Sequence, residues 1–325
     1  MTSLFSVSPT ASEWFVNGRV ERLEGLTPAT TYEHEGFAFT TLADVGVVTH
    51  RVVTMNDVHF GEVECGKFAG RPAQFVADPA DPYPLVMNRA VVRDALALNP
   101  DLCVVKGDLT NAGSEEDEAA FLATYAPFGD RLLYVRGNHD SYDGRVFADW
   151  PVQVRDVGSV RVVLLDTARV HEPGGFVSDE QVDALVAAID AAAGPVLVMG
   201  HHPLQLADQR QPNQGVNDED SQRLLAALAP RRSVVGYFAG HTHRNQIRVV
   251  DGLPLVEVAA VKDFPGAWAE LQLGTTGIAH VVHRARDEKA VAWAEQTKSM
   301  FDGFYESYAL GELSDRAAVF PLTRD

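Results

Sequence analysis

Arg131-Leu132-Leu133-Tyr134-Val135-Arg136-Gly137-Asn138-His139-Asp140 decides how this chain is read. Its first six residues have the length and apolar content of a short strand, which breaks at a glycine followed by a carboxamide, an imidazole and a carboxylate. The arrangement recurs outward in both directions. Residues 47–55 lead to Asp57-Val58-His59, 101–106 to Gly107-Asp108, 196–199 to Gly200-His201-His202-Pro203, and 233–239 to Gly240-His241-Thr242-His243. Each polar patch stands just past the C-terminal end of an expected strand, the edge where ligands bind in open α/β sheets. Strands then fix the positions of loops that carry the chemistry.

Helical patterns lie between the strands. Residues 88–98 place Val91, Val92, Ala95, Leu96 and Leu98 on or near one face. Residues 115–125 open with acidic side chains, where a helix dipole favours them. Residues 178–192 start with Ser178 as N-cap and Gln181 at the capping-box position, and 221–228 give another helix. Further strands are expected at 160–166, 246–250, 255–260 and 268–273. The alternation predicts an α/β fold.

Composition narrows the function. The chain has 325 residues, 46% of them hydrophobic, enough for one large core or a main domain with a small appendage. A net charge of −18, from 45 acidic and 27 basic residues, argues against a nucleic-acid polymer as partner and does not help approach to anionic membranes. An anionic substrate then needs local positive charge, which bound metals supply. Cys65 and Cys103 are too few for a disulfide scaffold. The first residues lack a basic region followed by a long apolar stretch, and no run of about 18 apolar residues occurs. Neither a signal peptide nor a transmembrane helix is expected, and a cytoplasmic location is.

Each patch alone has an ordinary reading as a helix cap, a turn or a solvated pair of side chains. Five in series point to a dinuclear metal site. Asp57 and His59, at i and i+2, can grip one ion. Asp108 has two oxygens and can bridge two ions, and Asn138 offers a carbonyl oxygen without charge. His241 and His243 repeat the i, i+2 spacing, so one can serve each ion.

The ordered set Asp-x-His, Gly-Asp, Gly-Asn-His-Asp, His and Gly-His-x-His resembles the calcineurin-like metallophosphoesterase superfamily, over roughly residues 50–260. The resemblance implies a four-layer α/β/β/α sandwich. It assigns Asp57, His59, Asp108 and His243 to one metal, and Asp108, Asn138, His201 and His241 to the other. Two divalent ions are implied, with Mn, Fe, Zn or Co all suited to these ligands. Paired ions would acidify water held between them, and direct attack at phosphorus without a covalent enzyme intermediate is the expected chemistry. By the same resemblance His139 contacts the phosphate or protonates the leaving oxygen, with Asp140 beside it as an orienting partner or a turn former. Asn138, His202 and Arg244 are further candidate substrate contacts.

Leu165-Asp166-Thr167, the Gly174-Gly175-Phe176 loop, helix 178–192 and His201-His202-Pro203 look like class III cyclic-nucleotide phosphodiesterases and bacterial glycerophosphodiesterases. The implied activity is hydrolysis of a small-molecule phosphodiester. One alternative is a phosphomonoesterase of the purple-acid-phosphatase kind, but Leu109-Thr110-Asn111 follows Asp108 where that kind adds a metal-ligating tyrosine. The other is a non-catalytic scaffold on the same fold, which the complete ligand set disfavours. The metallophosphoesterase domain is expected at 46–285. Before it, 1–45 reads as a β hairpin segment, because residues 23–32 resemble the Leu-x-Pro-x-Thr-x-Tyr corner of fibronectin type III domains. After it, 286–325 reads as a helix and tail. An aromatic stripe over 288–308 (Trp293, Thr297, Met300, Phe301, Phe304, Tyr305, Tyr308) is expected to pack on its own domain or to form a homodimer contact. The long 62–83 segment is expected to wall the pocket.

Overall fold

The computed structural model describes residues 2–67, 70–205 and 215–324. Two six-stranded sheets carry the fold. The first runs Leu132–Val135, Leu102–Lys106, Val48–Met55, Ala267–Gly274, Gly277–Arg284 and Ala317–Pro321. The second runs Val152–Val157, Val160–Leu165, Val196–Gly200, Val234–Ala239, Leu253–Glu257 and Gln246–Val250. The strands that precede the polar patches pair in parallel within each sheet, so their C-terminal ends share one edge.

Neighbouring residues of a strand point to opposite faces, and strands buried on both faces read as unbroken apolar runs. Val52, Leu102, Val104 and Val135 meet Leu164, Leu197, Met199 and Phe238 in one core between the sheets. Val53, Cys103 and Val105 face the other way, onto Met87, Val91, Phe121 and Ala294 of the helices Tyr83–Leu96, Glu115–Tyr125 and Glu288–Thr297. Val163, Leu165 and Val198 pack on Leu185, Ile189, Leu224 and Leu228 of Asp179–Asp190 and Asp218–Leu228. Four layers result, helix on sheet on sheet on helix. Ser178 and Gln181 form the expected capping box.

Several elements depart from the sequence reading. The expected 88–98 helix begins earlier, at Tyr83, with Pro84 in its first turn, where a missing N–H is tolerated. Val152–Val157, Gly277–Arg284 and Ala317–Pro321 are additional strands, so the C-terminal tail ends as the edge of the first sheet. The 288–308 helix is two, Glu288–Thr297 and Phe304–Leu310. Thr297 turns its hydroxyl back to the carbonyls of Trp293 and Ala294, and Phe301, Asp302 and Gly303 adopt left-handed backbone. The break lets Met300, Tyr305 and Tyr308 converge with Trp293, Phe264, Cys65 and Phe75 in a small core. Of the aromatic stripe, Thr297, Met300 and Tyr305 are buried, Trp293, Phe301 and Tyr308 are half-buried, and Phe304 is exposed. The 62–83 segment contributes Cys65 and Phe75 to that core, and its Phe68 and Ala69 lie outside the described residues.

At the N-terminus, a three-stranded meander (Thr2–Val7, Ala11–Val16, Arg19–Glu24) precedes the hairpin Thr31–His34 and Phe37–Thr40. Tyr32 Oη accepts from the Thr27 N–H at 2.8 Å, the backbone return of a tyrosine corner. Trp14 packs on Phe39, while Glu13 reaches His283 and the Arg284 N–H of the first sheet. No helix among the described residues is long and apolar enough to cross a membrane.

Candidate metal centre

The five patches converge because their loops are laced together. Asp57 N donates to Gly107 O (3.1 Å), and Val58 N and His59 N both donate to Asp108 O (2.9 Å each). Gly240 N donates to His201 O at 2.9 Å, which joins the two loops of the second sheet. Gly107 has φ +85°, and a Cβ there would fall 2.5 Å from His201 Nδ1, so glycine lets the two sheets' loops close on each other.

Asp57, His59, Asp108, His241 and His243 all have positive φ, between 46° and 69°. Such backbone is uncommon outside glycine, and it persists where the surroundings over-determine it, often at functional sites. Asp and His tolerate it better than most residues.

Asp57, Asp108, His59, Asn138, His201 and His202 are buried, while His139, His241 and His243 are half-buried and form the open side. His201 Nδ1 lies 2.8 Å from the Lys106 carbonyl. A carbonyl only accepts, so Nδ1 carries the hydrogen and Nε2 faces inward. Nε2 stands 3.3 Å from Asp108 Oδ2 and 3.1 Å from Asn138 Oδ1. Tyr142 Oη accepts from Asn138 Nδ2 at 2.7 Å, which aims the Asn138 oxygen at that point. Across the site, His59 Nε2 is 3.4 Å from the same Asp108 Oδ2, and His243 Nε2 is 3.3 Å from Asp57 Oδ1. Neither ring nitrogen of buried His59 makes a hydrogen bond among the described residues.

Electron-pair donors thus crowd together in a buried space. Burial disfavours an imidazolium at His201 and His243, yet the carboxylates of Asp108 and Asp57 override it and push these groups up to about 9 and about 10. His59 is held down to about 4 by burial, by Lys262 and by His139. Burial works against the charged carboxylates, but the neighbouring imidazoles hold Asp57 and Asp108 low. The two carboxylates draw positive charge into a dry site, and divalent cations would supply it while displacing the imidazole protons. Four groups place donor atoms within 4.8 Å of one another: Asp57, His59 and His243; Asp57, Asp108 and His201; His59, Asp108 and His139; and His201, His202 and His241. Asp108 stands in both middle groups. The donor set fits borderline first-row divalent ions.

The remaining sequence candidates separate. His139 Nδ1 lies 2.8 Å from the Asn111 carbonyl, and its ring packs edge-on against His59. Asp140 departs from the expected orienting role. Both its oxygens are taken by the Leu109, Thr110 and Gly137 N–H groups and by the Thr110 hydroxyl, at 2.7–2.9 Å. It ties the Gly-Asp loop to the Gly-Asn-His loop, and burial plus the nearby Asp108 charge raise it to about 6. His202 Nδ1 meets the Thr167 hydroxyl at 2.8 Å, and its ring packs against His201 and His241. Arg244 turns from the expected substrate contact to Glu257, at 2.9 and 3.2 Å, beside the Tyr308 ring. A buried carboxylate holds it there.

Three supporting groups escaped the sequence reading. Asn56 Nδ2 donates to Asp57 Oδ2 at 2.6 Å, and buried Lys106 Nζ donates to Asn56 Oδ1 at 2.9 Å. Tyr142 holds Asn138. Asn56 and Lys106 each adjoin a motif, and Tyr142 follows Asn138 by one helical turn, which is the only local signal they carry.

Among curated proteins, the chain is similar to a 3′,5′-cyclic adenosine monophosphate phosphodiesterase, CpdA, of Pseudomonas aeruginosa: 32% identity over 151 residues, 45% of this chain and 55% of that one. It is also similar to a glycerophosphodiester phosphodiesterase, GpdQ, of Enterobacter lignolyticus: 30% over 167 residues, 46% of this chain and 58% of that one. The chain spans somewhat more than half the length of these relatives. A dimetal phosphatase from Danio rerio shares the fold, with TM-score 0.59 at 15% identity over 74% of this chain and 98% of that one. Residues 50–245, more than half of the sequence, match the model of the calcineurin-like phosphoesterase family, and the chain belongs to that family.

Proposed function

We propose that the chain hydrolyses a small-molecule phosphodiester at two divalent metal ions. The observation that carries this reading is Asp108 Oδ2, which stands 3.4 Å from His59 Nε2 and 3.3 Å from His201 Nε2, between two sets of donors. Family members use divalent metals. Asp57, His59, Asp108 and His243 would hold one ion, and Asp108, Asn138, His201 and His241 the other. When bound, the ions supply Lewis-acid charge to the phosphoryl oxygens and lower the pKa of water in the site.

The protein's own groups do the rest. Tyr142 keeps the Asn138 oxygen turned inward. The Asn111 carbonyl holds a hydrogen on His139 Nδ1, which leaves Nε2 for the substrate; when Nε2 also carries a proton, the ring can pass that proton to the leaving oxygen and return to the neutral Nδ1–H form. His202, wedged against Thr167, fills the wall behind His241. A diester has one negative charge, which two ions balance without a cluster of arginines, and Arg244 is already engaged by Glu257. The phosphodiesterase names of the two curated relatives favour a diester.

The test strips the protein of metal and reloads it with Mn²⁺, Fe²⁺ or Zn²⁺. Rates are compared on bis-p-nitrophenyl phosphate, p-nitrophenyl phosphate and 3′,5′-cyclic AMP. Preferential cleavage of a diester, lost in Asn138→Ala and reduced in His139→Ala, supports the reading. Preference for the monoester overturns the substrate class.

A further inference from the structure

His243 is the last of the donors, and the residues that brace it come from beyond the stretch matched to the family. Its Nε2 faces Asp57. Its Nδ1 stands 3.5 Å from Oδ2 of Asp263, a buried carboxylate in the loop that precedes strand Ala267–Gly274. The other oxygen of Asp263 accepts from the Tyr305 hydroxyl at 2.8 Å. Tyr305 is buried in the short Phe304–Leu310 helix, more than 60 residues after His243. That helix grips the His243 loop at further points. Tyr308 Oη donates to Thr242 O at 2.8 Å, and both Asn245 N and Asn245 Nδ2 donate to Ala309 O at 3.0 Å.

We infer that Tyr305 and Asp263 are positioning residues for the metal centre, and that the C-terminal helix is part of its supporting shell. The inference rests on the dinuclear reading above. A histidine that binds metal through one nitrogen needs an acceptor on the other to fix its tautomer and ring direction. Asp263 is that acceptor, and without Tyr305 one of its oxygens loses its donor and the carboxylate is free to rotate. His243 also holds a left-handed backbone, φ +55°, which needs outside bracing to persist. Tyr308 and the Ala309 carbonyl provide the brace. The helix break at Phe301–Gly303 gains a purpose, because a continuous helix would carry Tyr305 along a different line.

The test is stepwise Co²⁺ titration of the metal-free, full-length chain, followed by visible absorption, for wild type, Tyr305→Phe and Asp263→Asn. Both substitutions keep shape and ring packing. Tyr125→Phe, which removes a buried phenol's bond to Asn88, is the control for a purely structural loss. The expected result is that one of two Co²⁺ ions binds about 10–100-fold more weakly in Tyr305→Phe and Asp263→Asn. The other ion and the Tyr125→Phe variant should behave as wild type. Two wild-type affinities in both variants overturn the positioning role alone, as does equal weakening in Tyr125→Phe. A wild-type protein that takes up fewer than two ions overturns the dinuclear reading and this inference with it.

Discussion

Two buried clusters in this molecule join histidine to carboxylates, and they differ in whether their atoms are satisfied. In one, His283 sits between Glu13 and Glu270, at 3.0 and 3.3 Å. Glu13 also accepts from Arg284 N and Arg286, and Glu270 from Arg51 and Gln272. Each carboxylate faces a cation or an amide. In the other, Asp57 Oδ1 and Asp108 Oδ2 face imidazole nitrogens at 3.3–3.4 Å, and neither ring nitrogen of buried His59 makes a hydrogen bond among the described residues. The first cluster closes on itself and fastens the N-terminal meander to the main sheet. The second is left open to cations. Satisfied and unsatisfied versions of the same chemistry distinguish a structural tie from a candidate metal site.

Substitutions can break this contrast, beginning with the strongest. Asp108→Ala should release both ions and slow hydrolysis of bis-p-nitrophenyl phosphate by at least about 10³-fold, the scale of losing preorganised charge from a dry site. Metal analysis that still finds two ions would make Asp108 a tie like Glu13. Glu13→Ala should do the reverse. It should lower unfolding free energy by about 3–5 kcal/mol in urea, because it takes one of two carboxylates from buried His283 and leaves the Arg284 N–H without its acceptor, while metal stoichiometry stays the same.

The pH response sharpens the comparison. Burial opposes charge on all three members of the Glu13–His283–Glu270 cluster, and their mutual contacts overcome it. Glu270 falls to about 2 and Glu13 falls from its ordinary 4.5, while His283 rises from its ordinary 6.5. A lowered carboxylate stabilises fully above its unfolded value and loses that stabilisation as pH falls through the folded one. A raised imidazole stabilises fully below its unfolded value and loses it as pH climbs through the folded one. The stability difference between wild type and His283→Gln should therefore be level from pH 4.5 to 6.5 and decline on both sides. A difference that rises steadily with pH would contradict it. The smallest effect is expected at Arg244. Its replacement by alanine leaves Glu257 with Arg248 and Thr242, and should change KM within about threefold, under ~1 kcal/mol. A tenfold rise would restore it as a substrate contact.

The sequence alone singled out the residues that converge at the candidate centre. Asp57, His59, Asp108, Asn138, His201, His241 and His243 stand in short motifs whose spacing matches a local geometry, and each follows an apolar run of strand length. Parallel strands buried on both faces are legible for the same reason, since burial on two sides requires an uninterrupted apolar stretch. The sandwich itself was legible through the order of the motifs.

Tertiary structure decided what depends on distant partners. Gly277–Arg284 and Ala317–Pro321 are strands because each finds an antiparallel neighbour along the growing edge of the first sheet, a pairing no local pattern encodes. Asp140 and Arg244 were read as chemistry because a charged residue beside a motif has the same appearance whether it faces substrate or a buried counterpart. Only the fold shows four donors on Asp140 and a carboxylate on Arg244. The helix broken at Phe301–Gly303, and the path from Tyr305 through Asp263 to His243, join residues far apart in the chain. Periodicity reports which face of an element is apolar, but the identity of what covers it is settled by packing.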